Sequence, residues 1–240
     1  MDNSAIKPAI SPATNPYLNR SSIVRRLFYR RISDLLNLVP QNRRARVIDI
    51  GCWTGHALPL LAERFGEVWG LDDDSSSLTD HVLPRAQEHC ESARLVKADA
   101  ANSPFPDAYF DIVFLIDTLP YIASGKKPQV VQECLRTLHQ TGEMIISLPI
   151  ELGPVLLLRE FGRYWSNSWR DGYSWGALFS AACFTHSQQR NSVVPKNLQG
   201  YDYRNDVALL ASMMRIEAIR YSPFRFAHGL NPFVLLRCVK

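Results

Sequence analysis

The sequence lacks the long apolar run that a membrane-spanning helix requires. Its 240 residues contain no uninterrupted apolar stretch of the roughly 18 residues needed to cross a bilayer. The amino terminus also lacks a basic start followed by an apolar core, so no secretory signal is expected. We therefore predict no transmembrane segment, and contact with a membrane surface stays open as an alternative.

Cysteine is sparse and shows no metal-binding spacing. The five cysteines are scattered, and no C-x-x-C pair occurs. This pattern predicts reduced thiols in a cytoplasmic compartment, with no zinc site and no other bound metal.

Two common nucleotide-binding motifs are also missing. The dinucleotide fingerprint G-x-G-x-x-G would need glycine at positions 51, 53 and 56. Only Gly51 is a glycine, since the other two positions are Trp53 and His56. No Lys-Ser or Lys-Thr pair follows the glycines, so the P-loop is absent as well. The sequence therefore argues against an NAD, FAD or nucleoside triphosphate site of these types.

The most informative stretch of the chain runs over residues 46–78. Its pattern predicts a buried strand over residues 47–50, a turn at Gly51 and Gly55, a helix over about 56–65 and a second strand over 68–71. Gly66 is expected to end the helix. The second strand ends on acidic residues, where Asp72 is placed to accept hydrogen bonds from ribose hydroxyls.

A second informative stretch begins at a predicted third strand, residues 94–98, which ends on Asp99. Adenine carries a donor amine beside acceptor ring nitrogens, so a carboxylate with a neighbouring backbone N–H can recognise it. Parallel sheets bind ligands at the carboxyl ends of their strands, where Asp99 would lie. A fourth strand is predicted over 111–116, followed by a loop that contains Asp117 and Tyr121.

The D-x-G-x-x-x-G turn formed by Asp49, Gly51 and Gly55 resembles motif I of the class I S-adenosylmethionine-dependent methyltransferases, in their ubiquinone-biosynthesis-like (methyltransferase type 11) branch. Trp53 replaces the middle glycine of that branch. The resemblance implies an α/β fold with a Rossmann-like, seven-stranded, mostly parallel sheet, helices on both faces and an antiparallel last strand. It also implies S-adenosyl-L-methionine as cofactor and S-adenosyl-L-homocysteine as product.

Residues 99–113 resemble the pattern D-a-x-x-L-P-F-x-x-x-x-F-D-x-V of the same family, in which the first acid binds adenine. On this resemblance Asp99 reads the adenine amine, and Ala100 packs by the ring. Asp117 and Tyr121 fall where acceptor and cofactor sulfur would meet. The full set of predicted cofactor contacts is Asp49, Gly51, Cys52, Gly55, Asp72, Asp73, Asp99, Ala100 and Asp117.

The chain divides into three predicted parts. Residues 1–19 read as a flexible arm with three prolines, residues 20–45 as an amphipathic helix, and residues 46–240 as the methyltransferase domain. The helix carries several arginines, among them Arg31, which we expect to lie largely off its apolar stripe. They form either a solvated face or a lid attracted to an anionic substrate or lipid headgroup. Further predicted helices cover 75–89, 128–138 and 205–214, and further strands cover 143–149, 214–221 and 233–239.

Residues 150–205 form an insert that is rich in aromatic residues. The rings form either a small helical cap or a wall for an apolar, aromatic or glycosyl acceptor. Residues 199–204 resemble an H-x-G-F-D-Y-R motif of methyltransferases associated with glycans or natural products, without its histidine. A D/N-P-P-Y/F tetrapeptide is missing after the fourth strand, so a nucleic acid substrate is not expected.

The predicted function is methyl transfer to a small-molecule or glycan acceptor. A general base is needed only for acceptors that must lose a proton, and our candidates are His186 and Tyr121, followed by Tyr203, Glu151 and His228. Two alternatives stay open: an inactive nucleoside-binding partner subunit, and a methyltransferase for a lipid-linked acceptor at a membrane surface. The sequence does not determine the oligomeric state.

Overall fold

The computed structural model describes residues 17, 19, 21–53, 55–73, 93–154, 156–157, 175–183, 198, 200–224 and 230–240. Some of the predicted features lie outside these residues. They are the helix over 75–89, both His186 and His228, most of the arm and most of the aromatic insert. Within the described ranges, no helix is both long and apolar enough to cross a membrane.

The fold is one seven-stranded sheet with strand order β3-β2-β1-β4-β5-β7-β6. The first five strands run parallel, and β7 pairs antiparallel with both β5 and β6. This arrangement confirms the predicted fold class. The strand bounds are β1 Asn42–Ile50, β2 Phe65–Asp72, β3 Ala93–Lys97, β4 Phe110–Ile116, β5 Leu138–Pro149, β6 Arg215–Ser222 and β7 Phe233–Val239.

Five α-helices are described around the sheet. They are α1 Ser22–Leu36, α2 Leu58–Ala62, α3 Lys127–Thr137, α4 Trp175–Ala182 and α5 Tyr203–Met213. A short 3₁₀ turn, Leu119–Tyr121, follows β4. Most of these elements begin or end within a few residues of the predicted positions.

Two apolar layers cover the two faces of the sheet. Successive residues of β1 alternate between them, since Val47 packs in the layer with α1 and α2 while Ile48 packs in the layer with α3 and α5. Alternation with a period of two is the geometry of a strand that is buried on both sides. The strand order reverses between β1 and its neighbours β2 and β4, and open α/β sheets bind ligands outside the strand ends at such a point.

The helix after the glycine turn is much shorter than predicted. It covers only Leu58–Ala62, and both Phe65 and Gly66 belong to β2. A Cβ atom on Gly66 would lie 2.0 Å from the carbonyl oxygen of Arg43 in β1. Gly66 is therefore required because β2 approaches β1 closely, and the prediction that it ends a helix is wrong.

The fifth strand begins earlier than predicted. It starts at Leu138, directly after α3, whereas the apolar pattern indicated residue 143. Its first residues, Leu138 to Thr141, include three exposed positions and so lack the apolar run on which the prediction rested.

Candidate active site

The carboxyl ends of the central strands border a cleft of about 670 Å³ that α1 and the loop after β4 complete. Ligand sites of this fold class typically have this size and position. Of the nine predicted cofactor residues, six line the cleft: Gly51, Asp72, Asp73, Asp99, Ala100 and Asp117. One site thus brings together the ends of β1 and β2 and the residues that follow β3 and β4.

Gly51 forms the sharp turn at the end of β1. Its φ is +75°, and a Cβ atom there would lie 2.4 Å from Cγ2 of Thr118. The hydroxyl of Thr118 donates a 2.6 Å hydrogen bond to the carbonyl of Ile50, and the Gly51 N–H donates a 2.7 Å bond to the carbonyl of Leu71. Only glycine meets both the backbone conformation and the steric limit at this position.

Trp53 continues the same turn in a conformation that favours glycine. Its φ is +44°, and it is one of the residues that line the cleft. Its backbone N–H donates a 2.7 Å hydrogen bond to Oδ2 of Asp72. The left-handed conformation costs a residue with a Cβ atom roughly 1–2 kcal/mol.

Asp49, Cys52 and Gly55 are buried and do not line the cleft. That these three residues contact the cofactor stays a prediction. The Gly55 N–H donates a 2.8 Å bond to the carbonyl of Cys52, which closes the turn. Burial raises the pKa of the Cys52 thiol well above its usual range, with further contributions from Asp49 and Asp72.

Asp49 is the least satisfied acid near the cleft. It is 2% exposed, and its Oδ1 atom has no hydrogen-bond partner among the described residues. Burial raises the pKa of its carboxyl group well above the usual range, the negative charge of Asp72 adds to this, and Arg31 opposes it. A buried, unpartnered carboxylate is costly, so this position fits a site that a donor or cation from a ligand completes.

Arg31 of α1 is a site residue that the sequence analysis missed, and its predicted place off the apolar stripe is wrong. It is 2% exposed, lines the cleft and forms an ion pair with Asp117. Its guanidinium lies over the rings of Phe28 and Phe233, at 4.9 and 4.5 Å from their centroids. Oδ1 of Asp117 also accepts a 2.7 Å hydrogen bond from Ser147. The charge is tolerated because a carboxylate and two aromatic faces surround it.

Tyr17 joins the site from the predicted arm. Nη2 of Arg31 donates a 2.6 Å hydrogen bond to its hydroxyl, and its ring stacks on His56 with centroids 4.6 Å apart. Burial raises the pKa of Tyr17, while Arg31 lowers it. The one available signal in the sequence was an aromatic residue among prolines and asparagines, which gave no indication of its partner.

Asp99 lies at the rim of the cleft after β3. Its Oδ1 atom accepts a 2.9 Å hydrogen bond from the Ala101 N–H, and Nζ of Lys126 donates a 2.6 Å bond to its Oδ2 atom. The bond from Lys126, followed by the Ala101 N–H, lowers the pKa of Asp99. Asp99 is therefore an ionised acceptor next to Ala100.

The candidate bases are only partly brought to the cleft. Tyr121 lines it and is 47% exposed, whereas Tyr203 and Glu151 are not among its lining residues. Burial and the neighbouring Tyr221 raise the pKa of Tyr203 to about 12, which is unsuited to a base at neutral pH. The roles of His186 and His228 stay predictions because both lie outside the described residues.

Residues 200–204, which resemble a family motif, have a structural role in this chain. The hydroxyl of Tyr201 donates a 2.7 Å hydrogen bond to buried Asp206, and Nζ of Lys127 donates bonds of 2.6 and 2.9 Å to the same carboxylate. Asp202 accepts a hydrogen bond from a backbone N–H in the first turn of α5. These contacts fix the chain next to Leu198, which lines the cleft.

Comparisons with known proteins agree with this geometry. A family model described as a methyltransferase domain matches residues 48–146. The chain is 36% identical over 135 residues to the biotin biosynthesis bifunctional protein BioHC of Cellvibrio japonicus. The aligned region covers 55% of this chain and 25% of that protein. It is 29% identical over 145 residues to trans-aconitate 2-methyltransferase of Rhizobium rhizogenes, and this aligned region covers 59% of this chain and 53% of that protein.

The fold is similar to that of solved proteins as well. The PH0226 protein of Pyrococcus horikoshii superposes with a TM-score of 0.63 at 18% identity, covering 92% of both chains. The chain spans a quarter to about half of the length of the two curated relatives described above. The matched domain, the sheet order and the glycine turn together show that residues 48–146 form a methyltransferase domain with the fold of the class I S-adenosylmethionine-dependent enzymes.

Proposed function

We propose that this protein transfers the methyl group of S-adenosylmethionine to a small-molecule acceptor. The observation that carries the proposal is the convergence of Gly51, Asp72 and Asp99 on one cleft at the carboxyl ends of parallel strands. These residues lie at or just after the ends of three different strands and are at least 21 positions apart along the chain. Each has the chemistry that one part of an adenosine needs. Such a convergence favours a nucleoside site over three unrelated surface features.

The residues fit the two ends of the cofactor. At one end, Asp99 supplies an acceptor for the adenine amine and Asp72 supplies one for ribose hydroxyls. At the other end, Arg31 and Asp117 place a buried positive and a half-buried negative charge in the same cleft as Gly51. Opposite charges of this kind suit the carboxylate and ammonium groups of an amino acid, and the unpartnered Oδ1 of Asp49 suits a further positive group.

When bound, the cofactor supplies a methyl group that its sulfonium has already activated. The protein then has to orient the acceptor and exclude water, and orientation alone contributes about 7–11 kcal/mol to catalysis. Apolar walls of the cleft serve the second purpose, in particular Ile116, Pro149 and Phe233. Tyr121 is the described candidate for holding or accepting a proton, and an already ionised acceptor would need no base.

Small-molecule chemistry is supported by the relatives, one of which is a trans-aconitate 2-methyltransferase. The aromatic lining by Tyr17, Phe28 and Phe233 supports an acceptor with an apolar part. We also propose a cytoplasmic location, which the four free cysteines of the described residues support. A glycan acceptor, a lipid-linked acceptor and an inactive partner subunit stay predictions.

Calorimetric titration with S-adenosylhomocysteine tests the cofactor site. Asp99→Ala removes the adenine acceptor, and Asp107→Ala is a matched control, since both are exposed carboxylates that each pair with a Lys or Arg side chain. We expect binding by the wild type and by Asp107→Ala, with affinity at least about tenfold lower for Asp99→Ala, equivalent to one charge-assisted hydrogen bond. A wild type that gives no heat, or equal affinity in all three proteins, would contradict the assignment.

The acceptor can then be sought by following formation of S-adenosylhomocysteine. A panel of small carboxylic acids, phenols, amines and sugars separates the acceptor classes. Turnover with one class identifies it, whereas cofactor binding without turnover across the panel would favour the inactive partner subunit.

A further inference from the structure

We propose that Trp53 is a cofactor-binding residue, whose indole forms the wall that packs against the ribosyl side of the bound nucleoside. This inference rests on the proposed cofactor site. It concerns a position where the family motif that the chain resembles has glycine, so nothing in that motif assigns a role to the side chain.

The backbone of Trp53 gives the first reason to look for a role. Three described residues of the turn have positive φ, namely Gly51 at +75°, Trp53 at +44° and Gly55 at +68°. Glycine adopts such angles without a steric penalty, whereas tryptophan does not. A side chain kept at a position that disfavours it needs a compensating contribution, and strained residues of this kind cluster at ligand sites.

The placement of the indole indicates what that contribution is. Trp53 is absent from the apolar layers of the described residues and lines the cleft instead. By contrast, Trp69 packs edge-on against Phe105, and its indole N–H donates a 2.9 Å hydrogen bond to Glu67. Trp69 therefore supports the fold, whereas the Trp53 ring is presented to a ligand.

The hydrogen bond from Trp53 to Asp72 locates the contact. The Trp53 N–H is 2.7 Å from Oδ2 of Asp72, so the ring starts next to the carboxylate that we assign to the ribose hydroxyls. Leu71 and Gly51 line the same part of the cleft. An indole at this position can cover the ribose and the adjoining carbon atoms with a large apolar face.

Three variants test the proposal: Trp53→Gly, Trp53→Asn and Trp53→Phe. Glycine and asparagine accept a positive φ but remove the wall, and phenylalanine keeps a ring together with the strain. Each variant is titrated with S-adenosylhomocysteine, and its thermal unfolding midpoint is measured without ligand. We expect the Gly and Asn variants to bind about tenfold more weakly and the Phe variant to stay within about threefold of the wild type, in line with the loss or retention of an aromatic face.

The unfolding midpoints separate a ligand wall from a packing role. If the ring serves the ligand, the Gly and Asn variants unfold at the wild-type temperature or a few degrees higher, because strain is relieved. If the unfolding midpoint and the affinity for S-adenosylhomocysteine both fall, the ring packs against the protein itself, and the proposal is overturned. Unchanged or tighter binding by both variants would also overturn it, and tighter binding would show that the ring obstructs the site. A wild type that does not bind refutes the proposed function, whereas a wild type that binds no better than the variants refutes only this inference.

Discussion

Replacing Asp49 by asparagine should make the protein more stable at neutral pH and weaken its cofactor binding. Asp49 is 2% exposed, and its Oδ1 atom has no partner among the described residues. Burial and the charge of Asp72 raise the pKa of its carboxyl group well above the usual range, although Arg31 opposes this. Asparagine keeps the shape of the side chain and removes the ionisation.

The size of the effect follows from proton linkage. Because the folded protein has the higher pKa, it holds a proton on Asp49 over the interval between the unfolded value, near 4, and the raised folded value. Over that interval the unfolded chain binds fewer protons, so stability falls as the pH rises. One proton corresponds to about 1.4 kcal/mol per pH unit. The favourable contribution is complete below about pH 4 and is lost as the pH rises through the folded pKa.

The measurement is urea unfolding of the wild type and of Asp49→Asn at several pH values from about 4 upward. Other titrating groups are present in both proteins, so the difference in unfolding free energy reports mainly on Asp49. We expect this difference to grow with pH in favour of the variant. In parallel, affinity for S-adenosylhomocysteine should fall, since asparagine cannot ionise to pair with a positive group of the ligand.

A stability difference that does not change with pH would refute the reasoning, because the folded and unfolded pKa values would then be equal. A difference that changes in favour of the wild type would also refute it. Asp111→Asn is a suitable control, since its carboxylate is half-buried but accepts a 2.7 Å hydrogen bond from the Arg46 N–H. That variant controls for replacing a carboxylate by an amide at a partly buried position that has a hydrogen-bond donor.

Three further predictions concern stability and can be checked by the same urea unfolding. Gly66→Ala should lower the free energy of unfolding by about 1–3 kcal/mol, because the added Cβ atom would lie 2.0 Å from a carbonyl oxygen of β1. Asp206→Ala should lower it by about 3–5 kcal/mol by leaving the Lys127 ammonium buried without its carboxylate, and combining Asp206→Leu with Lys127→Met and Tyr201→Phe should recover most of the loss. Lys126→Ala should change it by less than about 1 kcal/mol, since its ion pair with Asp99 is exposed. A small loss for the first two variants, or a large one for the third, would contradict these assignments.

Local patterns in the sequence were enough to predict the central strands and the acids at their ends. The runs at Val47–Ile50 and Asp111–Ile116 are apolar because central parallel strands are buried on both faces, and such a pattern can be read locally. The order of glycine turn, Asp72 and Asp99 predicted one cleft, which the structure shows. Asp72 and Asp99 could be located because Asp72 is the last residue of β2 and Asp99 lies two residues after the end of β3.

The residues that complete the site could be identified only from contacts between distant parts of the chain. Arg31 looks like a solvent-exposed cation in the sequence, and its burial depends on Asp117, which lies 86 positions away. Tyr17 depends on Arg31 in the same way, and Gly66 is needed because of a carbonyl group in a neighbouring strand. The periodicity of apolar residues indicates on which face of a helix or strand a residue lies. The atoms that face the residue in the folded protein determine the cost of burying a charge there, and they also determine whether only glycine fits. Those atoms come from distant parts of the chain, so the fold has to form before they can be identified.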